Sequence, residues 1–278
     1  MGTCVGVEII AEIGINHNGD IDIAKKLIDV AYVSGCDYVK FQKRTLEACY
    51  TPDELDKPRK SPWGTTTREQ KIGIELQISE YQEIDRYCRG RLPWFASPWD
   101  TKSIFLINQL GSEFIKVPSA LLTNDGYLKI VARTAHLPVI LSTGMSDYRM
   151  IDHAIEVLGK DRIYAILHCT STYPSVPEEQ NLKCITEMKY RYPWAKIGFS
   201  NHFPGIPFMA AAVGLGAEMI EFHITLDRTM YGSDQASSLE PHAVFKLVKY
   251  IRGIEMAMGD GEKVIYPSEL PIIEKLRK

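Results

Sequence analysis

The chain has 278 residues, 45% of them hydrophobic, and a formal net charge of -3. That length allows one large domain or two modest ones, and a core of this size needs no disulfide staples. The near-neutral charge excludes a global basic field for nucleic acid, and no apolar run approaches membrane-spanning length. Six cysteines (Cys4, Cys36, Cys49, Cys88, Cys169 and Cys184) are scattered without a CxxC pair. They read as reduced thiols of a cytoplasmic protein rather than a disulfide frame or a zinc knuckle. The start, "MGTCVGVEII", lacks the basic and apolar regions of a signal peptide.

In chain order, eight short β-like runs alternate with amphipathic helical stretches. The runs are "VEIIAEIG" (7–14), "DYVKFQ" (37–42), "PWFASP" (93–98), "EFIKVPS" (113–119), "PVILSTG" (138–144), "YAILHCTS" (164–171), "KIGFSNH" (196–202) and "MIEFHIT" (219–225). Stretches such as "DIAKKLIDVAYVSG" and "YRMIDHAIEVLG" lie between them, several closing on glycine. Apolar strands alternating with helices call for a parallel sheet covered by helices, and eight such units fit an α/β (β/α)8 TIM barrel across residues 1–278. An open doubly wound sheet would favour a glycine-rich phosphate loop after an early strand, and "EIGINHNG" has too few glycines at the wrong spacing. One connection is long: residues 43–75 are polar and proline-containing, with no clear strand, which suits a functional lid.

In a barrel of this kind the active site is built at the carboxyl ends of the strands. The runs end in Glu12; Lys40 and Gln42; Ser97 and Asp100; Lys116 and Ser119; Ser142 and Thr143; His168, Ser171 and Tyr173; Ser200 and His202; and His223. Two groups stand out. Lys40 and Lys116 interrupt apolar strands, and a buried ammonium is expensive without an anion. One such lysine usually snorkels to the surface or pairs with a carboxylate. Two at one rim, with hydroxyls at Ser97, Ser119, Ser171 and Ser200, favour a phosphate or carboxylate site. His202, His223 and Asp234, with Glu12 nearby once the barrel closes, suit a divalent Zn, Mn, Fe or Co ion. His168 lies one step further in and reads as a supporting residue. A metal beside an anion site describes a small-molecule enzyme, a requirement that a metal-dependent aldolase or isomerase also meets. A non-catalytic sugar-binding barrel is the third reading.

The segments "AEIGINHNGD", "GCDYVKFQ", "LSTGMS", "LHCTSTYP", "IGFSNHFPG" and "IEFHITLDR…GSDQASSLEP" together resemble the catalytic domain of the sialic acid (N-acetylneuraminate) synthase family, in order and across almost the whole chain. The resemblance implies a (β/α)8 barrel that condenses phosphoenolpyruvate with an open-chain N-acetylmannosamine-like aldose. The products are a nonulosonic acid and phosphate. It implies that His202 and His223 bind a divalent metal, typically Mn²⁺ with Mg²⁺ or Co²⁺ as alternatives, with Asp234 close by. Lys40, Lys116, Ser97, Ser119, Ser171 and Ser200 would hold phosphoenolpyruvate. Glu12, Gln42, Tyr173 and Asp234 would face the sugar, with Glu12 and Asp234 the acid/base candidates.

It also implies a cytoplasmic homodimer. Family members usually continue into a small C-terminal antifreeze-like domain that contributes an arginine to the sugar site. The chain stops after "YPSELPIIEKLRK", so that domain is expected to be absent, with its arginine supplied by a separate protein or by Arg44, Arg59 or Arg68 of the long loop. Where the family typically reads KxGSGE or KxGSGD, this chain reads "KVPSALLTN" and places Leu121 at the acidic position. Related products therefore stay open: Kdn, legionaminate, pseudaminate or a 9-phosphate form.

Overall fold

The computed structural model describes residues 6–277. Eight parallel strands close into a barrel: β1 (Glu8–Gly14), β2 (Tyr38–Lys43), β5 (Trp94–Pro98), β6 (Ile115–Val117), β7 (Val139–Ser142), β8 (Ile163–Cys169), β9 (Lys196–Asn201) and β10 (Met219–His223). The order around the barrel is β1-β10-β9-β8-β7-β6-β5-β2. This is a TIM barrel, and each strand predicted from the sequence is one of its staves. β3 (Pro58–Ser61) and β4 (Gly64–Thr66) form a separate antiparallel hairpin.

The barrel has two cores, and strand parity separates them. Alternate strand residues face opposite sides. On β1, Ile9, Ala11 and Ile13 join the large outer core against the helices, whereas Ile10 faces inward. The inner core is small: Ile10, Phe95, Phe114, Ile140, Ala165, Leu167 and Met219. Two residues further along several of these strands the same inward parity gives Glu12, Ser97, Lys116, Ser142 and Glu221, all buried. The inward positions thus read apolar at the bottom of the barrel and polar at the top.

Helices are fixed at their starts by side-chain caps. Asp20, Asp100, Asn124 and Asp147 each accept a hydrogen bond from a first-turn N–H. Asp100 also accepts from the Thr45 N–H at 2.7 Å, so this strand-end carboxylate ties the 43–75 segment down. That segment departs from the expected strandless loop. It contains short helices at Leu46–Cys49 and Pro52–Leu55, the β3–β4 hairpin, and a helix at Thr67–Ile74. It packs over the carboxyl face of the barrel, where Trp63 meets Tyr231 edge-on at 5.4 Å between ring centroids.

Cys36, Cys49, Cys88, Cys169 and Cys184 are free thiols, and Cys4 lies outside the described residues. Among the described residues no helix is long and apolar enough to cross a membrane.

Candidate active site

The carboxyl face opens into two adjoining cavities, of about 160 and 200 Å³. Gln42, Trp99 and Tyr173 line both and form the wall between them. Of the twelve residues singled out in the sequence, eleven line the first cavity: Glu12, Lys40, Gln42, Ser97, Lys116, Ser119, Ser171, Tyr173, Ser200, His202 and His223. The twelfth, Asp234, lines the second.

The two strand lysines are not the unpaired cations that the sequence suggests, because each has a carboxylate partner inside the barrel. Lys40 Nζ lies 2.7 Å from Glu12 Oε2, and Lys116 Nζ lies 2.5 Å from Glu221 Oε1. Glu221 also takes the Ser200 hydroxyl at 3.0 Å and sits 4.0 Å from Lys40. Glu221 is not among the residues the strand ends single out, although it lies two residues before His223 on the inward parity. Only 2% of it is exposed. Burial alone would push its carboxyl up, but Lys116 and Lys40 outweigh that and hold it down at about 2. In Lys116 burial prevails over Glu221, and its ammonium titrates below the ordinary lysine value.

Glu12 likewise belongs to a chain of contacts rather than standing free toward a sugar. Gln42 Nε2 donates to Glu12 Oε1 at 2.7 Å, and Arg44 Nη2 donates to Gln42 Oε1 at 2.6 Å. Neutral donors cluster opposite: Ser119 Oγ accepts the Gly144 N–H at 3.0 Å. A Cβ at Gly144 would stand 2.0 Å from Ser171 Oγ, so glycine is what allows the "LSTGMS" turn to approach these hydroxyls.

The two histidines meet, with ring centroids 5.5 Å apart. His202 Nδ1 lies 2.7 Å from the Thr170 carbonyl, which can only accept, so Nδ1 carries the proton and Nε2 the lone pair. That lone pair faces the Tyr173 hydroxyl at 2.9 Å. Burial first, then His223, push His202 down to about 3. His223 Nδ1 is buried without a hydrogen-bond partner, 3.6 Å from Asp234 Oδ2. His168 bonds through Nε2 to the Gln180 carbonyl at 2.8 Å, away from the first cavity. Among the described residues no three His, Cys, Asp or Glu side chains gather in a ligand-like group.

A closed parallel barrel with ion-paired lysines, serine donors and two adjoining buried histidines at its carboxyl face defines a small-molecule enzyme of the (β/α)8 class. Residues 27–263 match the model of the NeuB family, and the chain belongs to that family. It is an enzyme of the nonulosonic acid synthase class, transferases that use phosphoenolpyruvate. Human N-acetylneuraminate-9-phosphate synthase is 38% identical over 97% of this chain and 76% of its own length. N,N'-diacetyllegionaminic acid synthase of Campylobacter jejuni is 39% identical, over 97% of this chain and 83% of that one. The crystal structure of N-acetylneuraminic acid synthetase from Leptospira borgpetersenii superposes with a TM-score of 0.82 at 31% identity, covering 98% of this chain and 93% of that one.

Proposed function

We propose that this enzyme condenses phosphoenolpyruvate with an N-acylated, mannosamine-like aldose to give a nonulosonic acid and phosphate. In this reading the first cavity takes phosphoenolpyruvate and the second takes the aldose. The observation that carries the reading is the shared wall of Gln42, Trp99 and Tyr173, which sets two compartments of different chemistry side by side. The first offers serine hydroxyls and two ammonium groups, suited to phosphate and carboxylate oxygens. The second is lined by aromatic and charged side chains suited to a sugar.

Enzymes of this family generally use a divalent metal. The residues present fit one. His202 is neutral, and His223 has an orphaned buried nitrogen. Two imidazoles, one of them 3.6 Å from Asp234, are suitable donors for Mn²⁺, Mg²⁺ or Co²⁺. When bound, such an ion polarises the aldehyde carbonyl.

The chain's own residues would act as follows. Lys40, Lys116, Ser97, Ser119, Ser171 and Ser200 hold the phosphate and carboxylate of phosphoenolpyruvate, and Glu12 and Glu221 fix the two lysine side chains in the buried site. Gln42 and Tyr173 orient the aldose across the shared wall. C3 of the enol attacks the aldehyde carbon, and the new hydroxyl receives its proton on the Asp234 side. Glu12, on the phosphoenolpyruvate side, takes a proton from the water that adds at C2. Cleavage of the C2–O bond to the phosphate ester oxygen then releases phosphate, which carries off the C2 hydroxyl proton and leaves the 2-keto acid.

The test is phosphate release from phosphoenolpyruvate with Mn²⁺ and a panel of aldoses, with and without chelator. Chelator-sensitive release that depends on one aldose is expected. Release without any aldose, or none with the whole panel, overturns the proposal. His202→Ala and His223→Ala are expected to abolish turnover while leaving thermal unfolding near wild type; normal activity in either removes that histidine from the site.

A further inference from the structure

The carboxyl face holds a buried thiol that the proposed reaction does not use. Alternate residues of β8 share a side, so Cys169 points into the barrel as Ala165 and Leu167 do below it. It is 5% exposed and pairs in register with Ser200 of β9. Its sulfur lies 3.3 Å from Ser119 Oγ, and the Gly144 N–H is shared between the two, at 3.1 Å to the sulfur and 3.0 Å to the oxygen. A Cβ at Gly144 would stand 2.9 Å from Ser119 Oγ, so only a bare backbone lets the turn sit this close to the hydroxyl. Cys169 itself lines a third cavity of about 450 Å³ and is not part of the first cavity's wall.

The cations of this face lie elsewhere: Lys40 and Lys116 in the first cavity, Arg44 and Lys71 in the second. Around Gly144 the donors are neutral, and a neutral donor is useful only when its proton points the right way. An ammonium offers three protons, whereas a serine hydroxyl has one proton and two lone pairs. Ser119 serves an anion only while its O–H points into the first cavity. Its other option is to turn onto the Cys169 sulfur, a weak acceptor that already takes the Gly144 N–H. An anion in the first cavity wins that competition, because its hydrogen bond is charge-assisted. The Ser119 oxygen is then left as acceptor for the Gly144 N–H and the Cys169 S–H together. Thiol, hydroxyl and anion form a chain in which each donor polarises the next.

We propose that Cys169 is a positioning residue for phosphoenolpyruvate: its S–H donates to Ser119 Oγ and holds the Ser119 hydroxyl as a donor toward the anionic oxygens of the substrate. The inference rests on the placement of phosphoenolpyruvate in the first cavity and adds to it a residue that acts through Ser119.

The experiment is calorimetric titration of phosphoenolpyruvate, with Mn²⁺ present, into wild type, Cys169→Ala, Cys169→Ser, Ser119→Ala and the Cys169→Ala/Ser119→Ala double variant. Thermal unfolding of each is recorded alongside. Cys169→Ala is expected to raise the Kd about threefold to tenfold, and Cys169→Ser, which restores a donor, to stay within about twofold of wild type. In the Ser119→Ala background Cys169→Ala should change nothing further, because the hydroxyl it positions is gone. A Cys169→Ala Kd equal to wild type overturns the inference. So does a loss of equal size in Cys169→Ala and Cys169→Ser, or one that adds in full to that of Ser119→Ala, since packing alone would give either. Wild type supplies a readout that needs no folded alanine variant. The infrared S–H stretch that disappears in Cys169→Ser should move to lower frequency when phosphoenolpyruvate binds, and an unmoved band overturns the inference. The two levels fail differently. No phosphoenolpyruvate binding by wild type, or a Ser119→Ala Kd equal to wild type, overturns the placement of the substrate and the inference with it. A loss in Ser119→Ala without one in Cys169→Ala overturns the inference alone.

Discussion

Glu221 shows how much one residue organises the first cavity. It takes Lys116 at 2.5 Å and Ser200 at 3.0 Å, and lies 4.0 Å from Lys40. Removing one member of a buried ion pair strands the other charge, at a cost of about 3–5 kcal/mol. Glu221→Gln is therefore expected to lower the unfolding free energy by about that amount and to abolish turnover, because Lys116 loses the partner that positions it. A urea unfolding midpoint equal to wild type would show that the lysines do not depend on this carboxylate. The residue was legible in principle. In "MIEFHIT" the histidine is conspicuous, and the glutamate two positions earlier shares its face by strand periodicity. A reading that looks only at strand ends passes over it. Lys40 and Lys116 were found because cations inside apolar runs are anomalous, but nothing in a linear sequence shows that their partners lie on β1 and β10. Lys116 and Glu221 are 105 residues apart.

At the scale of elements, the eight barrel strands were readable because each is an apolar run bounded by helix signals. The hairpin was not. Its strands are only four and three residues long, and "PRKS" carries no apolar alternation. The helices around it did leave a mark. Thr51 with Glu54, and Thr66 with Glu69, form capping boxes whose spacing is visible in "TPDE" and "TTRE". What seats the whole segment on the barrel is a close backbone approach. Gly19 has φ +70, and a Cβ there would stand 1.9 Å from the Gly73 carbonyl oxygen. Gly73 in turn lies under Trp63, whose Cγ would be 2.0 Å from an added Cβ. Gly19→Ala must push away the helix that carries Lys71. It is expected to lose at least about 1 kcal/mol of stability and to raise the KM for the aldose more than the KM for phosphoenolpyruvate. Denaturation curves and the two KM values check this. Unchanged values in all three would mean that the segment does not depend on that contact.

Over the whole molecule, the buried polar residues that build the carboxyl face also set its response to acid. His17, His168 and His202 are all buried, and burial is the largest cause of the lowered pKa in each; His17 falls to about 4 and His202 to about 3. Unfolded histidine titrates near 6.5. As pH falls below that value the unfolded chain takes up protons that the folded chain refuses, so stability is fully present above about 6.5 and declines as pH drops toward the folded values. Between the folded and unfolded values, His17 and His202 each contribute a slope of up to about 1.4 kcal/mol per pH unit. His17 is the cleanest place to measure it, because it lies outside both cavities and its Nδ1 accepts the Gly19 N–H at 3.0 Å, a bond that protonation would break. His17→Gln removes one titrating group and can keep an acceptor. Between pH 6.5 and 5, with chelator present so that no metal competes for His202, the unfolding free energy of this variant should fall less steeply than that of wild type by about 1.4 kcal/mol per pH unit. Parallel slopes would show that His17 is not held neutral by the fold. The same contacts would then be doubtful as the anchor that sets Gly19 against Gly73, and with them the placement of the segment that completes the second cavity.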